Sequence, residues 1–162
     1  MLRRIRNPSA IYKNITLTNF EGETGTVTSA AGIYRTTVTL VRFTKKFTLT
    51  DFRVLIATNS NYSLELVTDF SGGTIIETLY PSTALVAGSN ELITNRHTFL
   101  PFESHYICLR STSNTHRRRN SALLVKSITS YGIMVETYWN NALFQLCNLE
   151  LKGIYDYRSW GN

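Results

Sequence analysis

The chain has 162 residues and a mass of 18.4 kDa, which is room for one domain of ordinary size. Hydrophobic residues make up 43% and charged residues 17%, a mixture that supplies a packed core and argues against wholesale disorder. Seventeen Lys and Arg against eleven Asp and Glu leave +6, which favours acidic partners but is too dilute for a dedicated nucleic-acid tail. Collagen, coiled coil, a disulfide-dense miniprotein and a polytopic membrane protein are excluded by the same composition.

Residues 1 to about 30 show no sustained period. Met1-Leu2-Arg3-Arg4-Ile5-Arg6 has the charge of a signal-peptide start, but Asn7, Pro8 and Ser9 stand where the apolar stretch belongs. No stretch is long enough to span a bilayer, so the expectation is a soluble protein without conventional secretion. With Pro8, Gly22, Gly25 and Ser29-Ala30-Ala31-Gly32, the segment reads as an extended arm with short strand pieces at best. The division expected is an arm over residues 1–32 and one domain over residues 33–162.

From Tyr34 onward the period is two. Val38, Leu40 and Arg42 alternate with Thr37, Thr39 and Val41, and Phe47 and Leu49 follow a Lys45-Lys46 turn. Arg53 to Ala57 is a short apolar run, and Asn59-Ser60-Asn61 is a turn cluster. Tyr62, Leu64 and Leu66 alternate again, and Ser71-Gly72-Gly73 signals a hairpin into β-branched Thr74 to Leu79. Pro81 breaks the pattern, and Gly88-Ser89-Asn90 is a turn. Further strands are expected over Leu92–Phe99, His105–Ser111, Ala122–Ser130, Ile133–Trp139 and Leu143–Ile154, with a loop at Trp139 to Gln145. In the last strand Cys147, Leu149 and Leu151 alternate with Asn148, Glu150 and Lys152, one face buried and one wet. About eight to ten short strands at spacings near ten residues are the pattern of an antiparallel sandwich or barrel. The fold class expected is all-β, an antiparallel β-sandwich with an extended N-terminal arm.

Cys108 and Cys147 each lie in an apolar-patterned segment and read as buried free thiols. Sequons at Asn14 and Asn61 carry little weight in a chain so rich in Asn, Ser and Thr. Hydrolytic chemistry finds little support. The only histidines are His97, His105 and His116, there is no G-x-S-x-G turn, and neither cysteine has a catalytic context. His105 and Cys108, the nearest metal-like pair, face opposite sides of a strand at their odd spacing. Glu65, Asp69, Glu77 and Glu103 read as solvated surface acids, and Gly72-Gly73 lacks the lysine and helix of a phosphate loop. No enzyme activity, cofactor or metal is expected.

Charge is unevenly placed. Residues 1–20 hold Arg3, Arg4, Arg6 and Lys13 with no acid, and residues 104–135 hold Arg110, Arg117, Arg118, Arg119 and Lys126 with no acid. These stretches sum to +9 and leave −3 for the rest. The run His116-Arg117-Arg118-Arg119, flanked by Asn-Thr and Asn-Ser, is expected on a hairpin tip, either as a solubilising loop or as a contact for a phosphate backbone or an acidic groove. A second cluster is aromatic: Tyr138, Trp139, Tyr155, Tyr157 and Trp160. Such residues pack a sandwich end, stack on a sugar ring or anchor a partner subunit.

Four phrases carry a resemblance: Phe47-Thr48-Leu49-Thr50-Asp51-Phe52, Tyr62-Ser63-Leu64-Glu65-Leu66, Tyr106-Ile107-Cys108-Leu109, and Leu149-Glu150-Leu151-Lys152-Gly153-Ile154-Tyr155-Asp156-Tyr157. Their order and pattern over Phe47 to Tyr157 resemble small jelly-roll sandwiches, as in tailed-phage virion proteins (decoration, fibre and tail-adaptor modules) and carbohydrate-binding modules. The resemblance implies two antiparallel sheets and a role in assembly or receptor contact without catalysis. It implies a homo-oligomer in a virion, bound to other virion proteins, with Arg3, Arg4, Arg6, Tyr12 and Phe20 in an assembly arm laid over a neighbour. Glycan binding is one alternative, although the acidic and asparagine pairs that such modules use for calcium are not recognisable. A small capsid protein whose basic arm meets the genome is another, weakened by having only three arginines in the first six residues.

Overall fold

The structure is a computed structural model and describes residues 12–18, 23–28, 36–56, 58–69, 74–112, 115–119, 126–129, 132–139, 142–143 and 149–156. Among these are thirteen strands: β1 (Tyr12–Thr18), β2 (Glu23–Thr28), β3 (Thr36–Phe43), β4 (Lys46–Ile56), β5 (Ser60–Val67), β6 (Ile75–Leu85), β7 (Gly88–Phe99), β8 (Ser104–Ser111), β9 (Thr115–Arg119), β10 (Lys126–Thr129), β11 (Gly132–Trp139), β12 (Ala142–Leu143) and β13 (Leu149–Asp156). Every pairing is antiparallel. One sheet runs β1-β13-β4-β7, the other β10-β11-β3-β8-β5-β6 with β12 beside β11, and β2-β9 is a separate ribbon. The expected all-β, antiparallel sandwich architecture is therefore present. Its pairings are nested: β5 with β6, β4 with β7, β3 with β8, and β1 with β13.

Alternation explains which face each strand buries. In β4, Phe47 and Leu49 point into the core, and so do Phe52, Val54 and Ile56. The change of phase falls at Thr50-Asp51, where the register with both neighbours shifts. The Thr50 hydroxyl is satisfied there by the Asp51 carboxylate and by the Lys152 carbonyl. The rings of Phe43, Phe47 and Phe99 pack together, Phe43 stacking on Phe47 at 4.2 Å between centroids. A smaller buried group, Val38, Val67 and Cys108 with Tyr106 against it, lies on the opposite face of the larger sheet. That sheet is thus buried on both sides at β5 and β8, as the burial of six consecutive residues from Tyr62 to Val67 attests.

Several expectations need correction. Pro81 does not end a strand: β6 runs through it. An edge strand tolerates a missing N–H, and the register of β6 against β5 skips between Thr83 and Tyr80 where the proline sits. The basic run His116 to Arg119 is not a hairpin tip but part of β9, because β2 supplies a strand for it to pair with. Two pieces of the expected arm are strands of this chain's own sheets, β1 against β13 and β2 against β9. Within the expected loop at Trp139 to Gln145, Ala142–Leu143 pairs back on β11.

Candidate functional site

Of the residues singled out from sequence, Tyr12 lies on β1 opposite Asp156, His116 to Arg119 lie on β9, and Tyr138 and Trp139 lie at the end of β11. Arg3, Arg4, Arg6, Phe20, Tyr157, Trp160 and Cys147 lie outside the described residues. Tyr155 is a core residue: its ring is 3% exposed and its hydroxyl is 2.7 Å from the Thr44 hydroxyl. It anchors the sandwich and has no face to offer a ligand.

Sequence patterning passed over a more localised feature. Over residues 38–56, 58–69, 74–112 and 149–156, the stretches whose side chains are described, the large apolar side chains left exposed are Ile75, Ile76, Val86, Ile93, Leu100 and Phe102. All six fall on β6, on β7 or on the turns that follow them. β6 and β7 end the two sheets on the same side of the sandwich, so each has one unpaired ladder edge. They run antiparallel past one another: Asn95 Nδ2 donates to the Thr78 carbonyl at 3.5 Å, and His97 Nδ1 is 2.7 Å from Glu77 Oε2. That alignment sets Ile93 near the level of Tyr80, and Ile75 and Ile76 near the level of Thr98 to Leu100. At the end of this edge, the turn at Leu100 to Phe102 is pinned by the Phe102 N–H on the Phe43 carbonyl at 2.8 Å. Phe102 has φ 63°, an unusual conformation for a bulky residue, while its ring is 55% exposed.

Beside this turn the Phe99 ring is flanked edge-on by His97 at 4.6 Å and His105 at 5.0 Å. His105 Nε2 is buried without a hydrogen bond, and the Glu103 carboxylate lies 3.4 Å away. Burial holds the His105 imidazole below its ordinary 6.5, Glu103 opposes that, and nearby His97 adds to it. As pH falls, the unfolded chain takes this proton first. Stability is therefore undiminished above pH 6.5 and is lost as pH drops below it. The groups acting on His105 are Glu103 and His97, and His97 is itself paired with Glu77. The melting temperature is expected to fall between about pH 7 and about pH 5, with a shallower fall in His105→Gln. Equal slopes would remove His105 from the account.

Glu65 corrects the expectation of a solvated acid. It is 5% exposed on the outward face of β5, with Arg110 Nε at 2.9 Å and the Ser63 hydroxyl donating at 3.0 Å. Cys108 beside it is a buried free thiol, pushed up to about 12 by desolvation and therefore unreactive. His105 and Cys108 do face opposite sides of β8, as their spacing required. Among the described residues no group of three or more His, Cys, Asp or Glu is placed to hold a metal ion, and no helix is long and apolar enough to cross a membrane. Comparison with models of known protein families finds none that matches the chain, and comparison with curated proteins finds no relative.

Proposed function

We propose that this chain is a non-enzymatic structural subunit that associates with itself and with neighbouring virion proteins through a jelly-roll sandwich, with its N-terminal segment contributing to the contact. The observation that carries the reading is that the six exposed large apolar side chains of residues 38–56, 58–69, 74–112 and 149–156 all lie along one edge. Left in water, such an edge promotes aggregation; covered by a neighbour, it drives assembly. The nested pairings from β5–β6 out to β1–β13 support the jelly-roll part, since a jelly roll is one long hairpin rolled into two sheets. Of the aromatic residues that a glycan reading would draw on, Tyr155 is buried and cannot take part.

Size-exclusion chromatography with light scattering tests the reading. A closed oligomer that survives high salt is expected, because apolar burial is not screened. A monomer near 18.4 kDa under all conditions would overturn it. The paired variant Ile76→Ser and Ile93→Ser is expected to weaken association by about a hundredfold or more, since burying each isoleucine contributes about 1.5–3 kcal/mol.

A further inference from the structure

We propose that the occupant of this edge is a second copy of the chain, joined β7 to β7 about a two-fold axis, so that two four-stranded sheets continue as one of eight strands. This rests on the self-association reading above and gives it a geometry. Of the two edge strands, β6 is blunted by Pro81 and by three register shifts against β5, whereas β7 contains no proline.

The charge pattern of β7 is complementary to itself. Its exposure alternates from Gly88 to Thr94, with Leu92 packed against the core and Ser89, Glu91 and Ile93 outward. It then slips at Asn95 and Arg96, both exposed, before His97 and Phe99 turn inward again. The register against β4 shifts at the same place, from Ile93 opposite Asp51 to His97 opposite Leu49. Glu91 and Arg96 are five residues apart and would face opposite ways in a regular strand. The slip puts them on one outward face.

Reversing β7 against itself about a point between Ile93 and Thr94 sets Gly88 opposite Phe99, Ser89 opposite Thr98, Asn90 opposite His97 and Glu91 opposite Arg96. In each pair, inward meets inward and outward meets outward. Two four-residue ladders thus flank a central irregular stretch, and Ile93, 81% exposed, sits beside the axis of each copy. Arg96 has no ion pair among the described residues, and Glu91 is two-thirds exposed with Lys152 Nζ at 3.1 Å. Across the axis each Arg96 meets Glu91 of the second copy, twice by symmetry. β6, the edge of the other sheet on that side, carries Ile75 and Ile76 to the rim of the same contact.

Charge exchange tests this arrangement. Glu91→Arg and Arg96→Glu are each expected to weaken association about tenfold or more in sedimentation equilibrium, because like charges then face each other at both ends. The double swap is expected to restore association, and Lys152→Ala to leave it unchanged. As a second measurement, the paired variant Ser89→Cys and Thr98→Cys is expected to form a covalent dimer on mild oxidation, and Ser89→Cys alone is not. A wild-type oligomer indifferent to both reversals, or a double swap that stays dissociated, would overturn the β7 pairing while leaving self-association standing. A wild-type monomer would overturn both.

Discussion

Replacing Gly153 with alanine is expected to destabilise the fold by about 3 kcal/mol or more. A Cβ built at this position falls onto the Thr48 carbonyl oxygen and within 2.6 Å of Cζ of Phe47. The ring could turn aside, but the carbonyl belongs to β4, which pairs with β13 on one side and β7 on the other, and has nowhere to go. The register between β4 and β13 shifts between Lys152 and Gly153, so the glycine is where a bulge brings backbone and an aromatic ring into close approach. In a domain of this size the loss corresponds to a fall in melting temperature on the order of 10 °C, measured by thermal or urea unfolding. An alanine variant as stable as the parent would mean that the two strands separate here at no cost.

Phe47→Ala should cost about 3–5 kcal/mol, the range for emptying a buried aromatic site. Phe47 is fully buried, stacks on Phe43 at 4.2 Å and lies 6.3 Å from Phe99. Phe99 carries both histidine rings, so the cavity opens beneath the turn that holds Phe102 exposed. Phe47→Leu keeps most of the volume and should lose only about 1–2 kcal/mol. If the two variants proved equal, ring stacking rather than filled volume would dominate at this site. Both substitutions act through the core, and neither touches the charge pattern of β7. Their effect on association should therefore follow their effect on folding.

The period-two pattern carried most of the strands. Phe47 and Leu49, Tyr62, Leu64 and Leu66, and Leu149 and Leu151 are buried as their alternation required. The candidate residues fared differently. Arg3, Arg4, Arg6, Tyr157 and Trp160 stood out by type alone, which says nothing of what they meet. Tyr155 stood out as a ligand-stacking candidate and proved to be core, because alternation past Gly153 turns it inward. The exposed isoleucines drew no notice, since Ile75, Ile76 and Ile93 in a strand look the same whether the next strand covers them or not. The available signal was Pro81: a proline inside a β-branched run marks an edge.

Alternation, turn residues and the scarcity of helix formers are local properties, and from them alone the sequence determined an antiparallel, all-β chain with a buried thiol at Cys108. Pairing and exposure are not local. Arg110 reaches Glu65 from 45 residues away and Arg53 reaches Glu150 from 97, and no period in the chain encodes either meeting. Tertiary structure decided that Glu65 is buried, that His116 to Arg119 form a strand, and where β4 and β7 slip by a residue and change faces. It also decided which two strands end their sheets, because that depends on strand order across the whole fold. Only there does an isoleucine in a strand become a surface for another molecule.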